Sequence, residues 1–300
     1  MTEDLLNPAD KTPKKKKGTA FAHIAFTIAL IVPLFLLGTM MATHLGFIPT
    51  DLGVRTLALG VGPKLAMAAL AISGLSLLIS MFMAPRRYAP WALAAALISG
   101  GIMGGYSLYH RQLKAYAPIA DVATSWSPAV TLSDKLIEAR GDGAKAVEDL
   151  PRVPRNESME WGGKTIPAIN DATCPGARTV HRKDISSDQV EAFFKADKSY
   201  TVFGTAPWRI EATHQDNFFG LKADVVVRLD PTGIDVRSIS RYDMPDLGDN
   251  CRRVTDIVNK IRALPSDPDL QDTSAVDPAA ASAESGTPPG KDAPADGGGD

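Results

Sequence analysis

Residues 224–241 read DVVVRLDPTGIDVRSISR, which is two β-rich runs joined by a turn sequence. The runs 224–229 and 234–239 are rich in Val and Ile, residues that strands favour. The four residues 230–233, Asp-Pro-Thr-Gly, are typical of a tight turn, because Pro presets φ and Gly tolerates a left-handed backbone. The stretch therefore predicts an antiparallel β-hairpin with Gly233 in the left-handed conformation.

The turn also fixes which residues of the hairpin face each other. Leu229 then pairs with Ile234 on an apolar face, and Arg228 pairs with Asp235 on the opposite face. Because side chains alternate along a strand, this opposite face collects the charged residues of the hairpin. They are Asp224, Arg228, Asp235, Arg237 and Arg241.

Helical patterns flank the strands on both sides. Ser186 and Gln189 form a capping box that predicts the start of a helix. Asp246 is the predicted N-cap of a last helix, whose apolar residues recur at helical spacing. That stripe consists of Leu247, Cys251, Val254, Ile257, Val258 and Ile261. Both helices should therefore pack on the apolar face of the sheet.

These elements together define a soluble domain over residues 111–264. A further strand is expected at 208–214, which gives an antiparallel sheet of at least three strands. The front of the domain is loop-rich and holds one short helix at 132–139. The order of helix, three strands and helix predicts an α+β fold.

Three apolar segments precede this domain, at about 20–46, 63–84 and 90–109. A helix needs roughly 20 apolar residues to cross the hydrocarbon core of a bilayer. The stretches 65–84 and 91–109 contain no charged residue. The sequence therefore predicts three transmembrane helices and a lipid bilayer as their surroundings.

The distribution of Lys and Arg predicts how these helices are oriented. The basic segment 1–18 and the loop after the second span carry seven Lys and Arg, whereas the opposite side carries four near the membrane. Because the cytoplasmic side is richer in Lys and Arg, the N-terminus is predicted to be cytoplasmic and the residues after 110 to lie outside. In a bacterium with two membranes this means a multi-pass inner-membrane protein with a periplasmic domain.

The third span contains two overlapping GxxxG pairs, a pattern that lets helix backbones approach closely. The glycines are Gly100, Gly101, Gly104 and Gly105. Packing among the three helices of this chain is the favoured interpretation. Contact with partner membrane proteins through the same glycines is the alternative.

The C-terminal segment, residues 265–300, holds eight acidic residues, one Lys and no aromatic residue. Such a segment cannot bury enough apolar surface to offset the entropy of ordering it. The sequence therefore predicts a disordered acidic tail.

The chain has two cysteines, Cys174 and Cys251. Two cysteines cannot complete a four-ligand zinc site, so no metal site is expected from them. They form a disulfide if the domain lies in an oxidising compartment, and otherwise they are two buried thiols. The net charge of -2 and the lack of a basic, aromatic-interleaved surface argue against nucleic-acid binding.

Several short motifs in the second half of the domain resemble the signature of a family known as domain of unknown function 1499. The matching residues are Phe219-Gly220, Asp224-Val225, Arg228, Asp235-Val236-Arg237-Ser238, Ser240-Arg241, Asp246-Leu247-Gly248, Asn250 and Arg252-Arg253. Residues 117–124 resemble the opening of the family, although Ala120 stands where a His is usual; likewise, Ala223 stands where an Asp is usual. The resemblance covers residues 114–264 and implies a bacterial envelope-associated protein, with no activity attached.

Arginines beside the start of the last helix form the strongest candidate site. The residues are Arg228, Arg237, Arg241 and Arg253 with Asp224, Asp246 and Asn250. Guanidinium groups and free helix N–H groups both suit phosphate or carboxylate, so the predicted ligand is a lipid or another anionic envelope component. The alternative is a ladder of ion pairs that closes the sheet face. That ladder would join Arg228 to Asp235 and Arg237 to Asp224.

Motifs of an enzyme or of a cofactor site do not stand out. The GxSxG pattern is absent and Ser238 lies on a strand, while His181 and His214 lack metal-ligand spacing. The sequence therefore favours a membrane-tethered, non-enzymatic binding domain without a cofactor. The alternatives are a structural or assembly factor for envelope proteins and an unrecognised hydrolase that uses Asp224 or Ser238.

Overall fold

The computed structural model describes residues 18–83, 85–155 and 160–272. Three long helices come first, and the residues after them form a domain of one sheet and several helices. This arrangement confirms the predicted α+β fold class with three N-terminal membrane-length helices. The predicted basic segment lies outside the described residues apart from Gly18, and so does the predicted tail apart from residues 265–272.

The helical bundle follows the three predicted spans closely. Its elements are α1 (Gly18–His44), a π-helical segment (Asp51–Val61), α2 (Gly62–Met83) and α3 (Pro85–Ala115). All three helices are long and apolar enough to cross a membrane. Helix α3 continues six residues beyond the predicted end of its span, because the residues HRQLKA include several good helix formers.

The glycines of α3 do not pack against the rest of the bundle. A Cβ atom added at Gly101, Gly104 or Gly105 would have no atom of the described residues within 4 Å, and one at Gly100 would only touch Leu70. The bundle instead buries small side chains on the other side of α3 and on α2. These are Ala92, Ala95 and Ser99 on α3, and Ala66, Ala69 and Ser73 on α2. The packing interpretation is therefore wrong for the three outward-facing glycines.

The domain is built on one five-stranded antiparallel sheet. Its strands are β1 (Asp121–Ala123), β2 (Tyr200–Ala206), β3 (Arg209–Gln215), β4 (Lys222–Asp230) and β5 (Gly233–Ser240), in the order β1-β5-β4-β3-β2. The helices of the domain are α4 (Asp134–Arg140), α5 (Ile166–Thr173), α6 (Ser187–Ala196), α7 (Asp249–Ala263) and α8 (Pro268–Asp272). The sequence anticipated β3, β4, β5, α4, α6 and α7, whereas β1, β2, α5 and α8 were not predicted.

The hairpin of β4 and β5 has the predicted register. Leu229 pairs with Ile234, and Arg228 pairs with Asp235. Gly233 is needed for a different reason than predicted, since its φ is 156° rather than left-handed helical. A Cβ atom there would come within 2.9 Å of the carbonyl oxygen of Val180, so the glycine allows a neighbouring segment to pair with β5.

The apolar face of the sheet is covered by α5, α6 and α7, and this is the main core. The sheet contributes Ile210, Ala212, Val225, Val227, Ile234 and Val236, and the helices contribute Ile169, Val190, Phe194, Val254, Ile257, Val258 and Ile261. Each fully buried Val, Ile or Phe side chain of this core stabilises the fold by about 1.5–3 kcal/mol. The predicted capping box starts α6, with the N–H of Ser186 donating to Gln189 Oε1 at 3.1 Å.

Helix α7 is fixed at its first turn by a carboxylate and by a disulfide. Gly248, with a left-handed φ of 79°, occupies the N-cap position that was predicted for Asp246. Asp246 still supplies the cap, because its carboxylate accepts hydrogen bonds from the N–H groups of Gly248 and Asn250 at 3.0 and 2.9 Å. Cys251 is joined to Cys174, which follows α5 directly, so the disulfide ties α7 to α5.

The first residues of the predicted tail are ordered. Helix α8 starts at Pro268, and the carboxylate of Asp267 accepts the N–H of Asp269 at 3.1 Å. The N–H of Asp267 also donates to the carbonyl of Asp184 at 2.7 Å. Residues 265–272 therefore contact the domain, and the rest of the predicted tail lies outside the described residues.

Candidate functional site

Arg237, the centre of the predicted anion site, is completely buried and fully engaged. It forms a two-pronged ion pair with Asp121, with Nε–Oδ1 and Nη2–Oδ2 distances of 2.9 and 2.6 Å. It also donates to the carbonyl oxygens of Val130 and Glu148, both at 2.9 Å. The ring of Trp126 lies 4.9 Å from its guanidinium carbon. Arg237 is therefore a structural cation and does not face a ligand.

Asp224 is buried between two arginines. Arg140 reaches it from α4 at 2.5 Å, and Arg241 reaches it from beyond β5 at 2.7 Å. Thr213 adds a hydrogen bond at 2.9 Å. The predicted Arg237–Asp224 pair is therefore wrong. Asp224 pairs instead with Arg140, and Arg237 pairs with Asp121; both of these partners come from the loop-rich front of the domain.

The remaining charges on this sheet face are also paired. Arg228 donates to Asp235 at 2.9 Å, as predicted, and lies 2.7 Å from Asp230. Among the described residues, five arginines of this face pair with five carboxylates. They are Arg140, Arg209, Arg228, Arg237 and Arg241 with Asp121, Glu211, Asp224, Asp230 and Asp235. We call these ten residues the ion-pair layer.

The chain between β1 and α5 covers the ion-pair layer. Residues 128–148 accept hydrogen bonds from its arginines through backbone carbonyls. Apolar side chains from the same segment pack between the charges, including Val130 and Leu136. The centre of the layer, Asp224 and Arg237, is therefore completely buried and closed to a ligand.

Arg253 and Asn250 lie on the opposite face of the sheet from the ion-pair layer. Asn250 is fully buried; its Oδ1 accepts from Ser238 Oγ at 2.6 Å and from Arg253 at 2.8 Å. Its Nδ2 donates to Asp246, Ser240 and the carbonyl of Ala120. The predicted site residues are thus split between two buried networks. Ser238, the serine of the hydrolase alternative, is fully buried in the second.

His214 lies next to this second network, and its pKa is shifted from the usual value. Burial, with the nearby Arg253 guanidinium as a smaller cause, lowers the pKa of His214 to about 4. Its ring meets that of Tyr200 edge to face, with the ring centroids 5.0 Å apart, and burial raises the pKa of Tyr200 to about 12. The neutral imidazole is therefore the form that the fold accommodates at neutral pH.

Acidification is expected to destabilise the domain through His214. Between about pH 6.5 and 4 the unfolded chain binds a proton that the folded chain does not, so stability falls as the pH falls. The expected loss over this window is about 1–2 kcal/mol, after allowing for partial solvent exposure. Unfolding free energies of the wild type and of His214→Phe at pH 7 and 4.5 measure it, with His181→Asn as control. An equal loss in His214→Phe would show that other groups cause it.

A cavity remains at the junction between the helical bundle and the domain. Its volume is about 470 Å³. It is lined by Leu113, Lys114, Tyr116, Pro118, Ala120, Lys145, Glu160, Trp161, Asp243, Met244 and Pro245. Charged, aromatic and apolar side chains therefore meet in it, and we call it the junction pocket. Ala120 lies in its wall.

The junction pocket begins at the C-terminal end of α3, just past the apolar segment of that helix. The uncharged segment of α3 ends at Tyr109, and Lys114 follows five residues later. At 1.5 Å per helical residue, Lys114 lies about 7.5 Å beyond the apolar segment along the helix. The headgroup region is about 5–8 Å thick on each side of the hydrocarbon core. If the hydrocarbon core ended at Tyr109, Lys114 would lie at the depth of the lipid headgroups.

The far wall of the pocket is tied to the helical bundle. Asp243 accepts a hydrogen bond from Arg55 of the π-helical segment on its carbonyl oxygen, at 2.6 Å, and its carboxylate pairs with Lys145 at 3.1 Å. A second contact fixes the domain nearby. Gly220, in the turn between β3 and β4, has a φ of 71°, and a Cβ atom there would come within 3.1 Å of the backbone of His44. The domain thus rests on the ends of α1 and α3.

The residues of the junction pocket were not predicted from the sequence. Lys114 and Tyr116 could have been predicted to lie at the membrane interface, since cations and aromatic rings are common just past a span. The pairing of Lys145 with Asp243 could not have been predicted from the sequence, because the two residues lie 98 positions apart and meet only in the folded domain.

The comparisons with known proteins concern the second half of the domain. Residues 163–261 match the family described as Protein of unknown function (DUF1499), whereas no curated protein and no solved structure matches the chain. The match starts after the front segment that supplies Asp121 and Arg140 to the ion-pair layer. It includes the sheet from β2 to β5 and most of α7. As the resemblance of its motifs predicted, the chain carries a DUF1499 region at residues 163–261.

Proposed function

We propose that this chain is a membrane-anchored protein of the bacterial envelope whose domain binds a phosphate-bearing lipid headgroup in the junction pocket. The N-terminus would be cytoplasmic, the spans would lie in the inner membrane and the domain would be periplasmic. The proposed function is binding without turnover. The observation that carries it is a cavity lined by two lysines at the end of α3 that follows the apolar segment.

The chemistry of the pocket suits the surface region of a lipid. Lys114 makes no ion pair among the described residues, so its ammonium group is available to a phosphate. Tyr116 and Trp161 present amphipathic rings of the kind that favour the membrane interface. Leu113, Met244 and Pro245 add apolar surface for the glycerol and the first part of the acyl chains. A bilayer in contact with α3 would deliver such a lipid directly.

Loss of both pocket lysines is expected to release the bound lipid. The full-length protein is purified in a mild detergent, and native mass spectrometry measures the fraction that retains phospholipid. We expect Lys114→Ala/Lys145→Ala to lower this fraction about tenfold, because each charge-assisted contact contributes about 1.5–3 kcal/mol before solvent exposure weakens it.

The matched control is Lys183→Ala. Lys183 is an exposed lysine that follows the pairing of Val180 with Ile234, at the end of the sheet opposite the junction pocket. It should retain lipid like the wild type. Equal retention in the wild type and the double variant would overturn the proposed site.

An assembly function is the second candidate, and the outward face of α3 favours it. Gly101, Gly104 and Gly105 leave a smooth groove on that face, which suits close approach by another transmembrane helix. Membrane proteins that copurify with the wild type and are lost with Gly101→Leu would support this function instead.

A further inference from the structure

We infer that the junction pocket selects a zwitterionic headgroup, in which a primary amine follows the phosphate, over a purely anionic one. This inference rests on the proposed function, and it names the chemical class of the ligand. It is carried by the charges that the fold brings into the pocket.

Among the described residues that line the pocket, carboxylates and ammonium groups are equal in number. Lys114 and Lys145 supply the positive charges, and Glu160 and Asp243 supply the negative ones. A headgroup with phosphate alone would be attracted by the lysines and repelled by the carboxylates at short range. A headgroup that carries an amine as well matches both signs, so electrostatic complementarity discriminates between the two.

Asp243 is the carboxylate best placed to receive the amine. Its side chain is 72% exposed although it pairs with Lys145, so its carboxylate can accept further hydrogen bonds. Its backbone is held by Arg55, which fixes the carboxylate at the rim of the pocket. A second ammonium can therefore approach without displacing Lys145.

An aromatic side chain strengthens the preference for a cation. The ring of Trp161 is engaged by the ammonium of Lys164, 4.5 Å from its centroid, so Tyr116 is the ring that we assign to the headgroup amine. Tyr116 is 42% exposed and lines the same cavity. Ring faces attract ammonium groups and repel phosphate. Because carboxylates need N–H donors to bind well, a primary amine fits this pocket better than a quaternary one.

The test compares three phospholipids with the same acyl chains. The delipidated full-length protein is incubated with equal amounts of phosphatidylethanolamine, phosphatidylglycerol and phosphatidylcholine in detergent micelles, and native mass spectrometry counts each bound lipid. We expect phosphatidylethanolamine to exceed each of the others about tenfold. Asp243→Asn should reduce the preference over phosphatidylglycerol to about twofold, while Asp142→Asn, at an exposed aspartate outside the pocket lining, should leave it unchanged.

The outcomes separate this inference from the proposed function. Equal or greater binding of phosphatidylglycerol or phosphatidylcholine would overturn the selectivity but would leave lipid binding in place. An unchanged preference in Asp243→Asn would overturn the role of that carboxylate. Failure of the wild type to retain any of the three lipids would overturn the proposed function, and the inference with it.

Discussion

Arg237→Ala is expected to destabilise the domain by about 3–5 kcal/mol, since it leaves the buried carboxylate of Asp121 without its partner. The substitution also removes donors from the carbonyl oxygens of Val130 and Glu148. A loss of this size is a large part of the 5–15 kcal/mol that stabilises a typical domain. We therefore expect little folded protein at 37 °C.

The measurement is the denaturant midpoint of tryptophan fluorescence in the full-length protein. Arg252→Ala is the matched control, because Arg252 forms an ion pair with Asp249 in which both side chains are more than half exposed. It should change stability by less than about 1 kcal/mol. Asp121→Leu/Arg237→Met should recover most of the loss, since an apolar pair of similar volume replaces the buried charges. If Arg237→Ala were as stable as the control, Arg237 would again be a candidate ligand-binding residue.

Reduction of the Cys174–Cys251 disulfide is expected to lower the unfolding free energy by about 2–4 kcal/mol. The bond joins residues 77 apart in sequence, so it removes much conformational freedom from the unfolded chain. Chain-entropy arguments give about 4.5 kcal/mol for a loop of this length, and native-state adjustments reduce the observed value. Helix α7 should lose contact with α5 first, because the disulfide joins the start of one to the end of the other.

Denaturant midpoints with and without a reductant measure this effect. Cys174→Ala/Cys251→Ala serves as the control, since the reductant should not change its midpoint. An unchanged midpoint in the reduced wild type would show that packing around the two sulfur atoms, rather than the bond, holds α7 in place. Intact mass, 2 Da lower for the oxidised form, checks the redox state in each sample.

The sequence was sufficient where structure depends on neighbours in the chain. The hairpin register followed from one turn and the alternation of side chains, and Arg228 faces Asp235 as predicted. The start of α6 followed from a capping box within four residues. The three membrane-length helices followed from the lengths of apolar segments.

The sequence was insufficient where partners come from distant parts of the chain. Strand alternation placed Asp224 and Arg237 on one face, but their actual partners are supplied by the irregular front of the domain. Strand β1 has only three residues and is recognisable only through its pairing with β5. For this reason the residues of the predicted anion site do not form one site. The junction pocket was not predicted, because its walls come from both the bundle and the domain.

The ion-pair layer has a consequence for how sequences of this kind can diverge. Loss of one partner leaves a buried charge, so a substitution such as Asp224→Ala is tolerable only with a second change at Arg140 or Arg241. Five of these ten positions belong to the motifs quoted above, so these motifs would be inherited together with their partners whatever the protein binds. The junction pocket is coupled more weakly, because its Lys145–Asp243 ion pair is solvent-exposed and the loss of one partner leaves no buried charge. Substitutions that change the ligand should therefore be tolerated best at the exposed rim of the pocket, for example at Asp243.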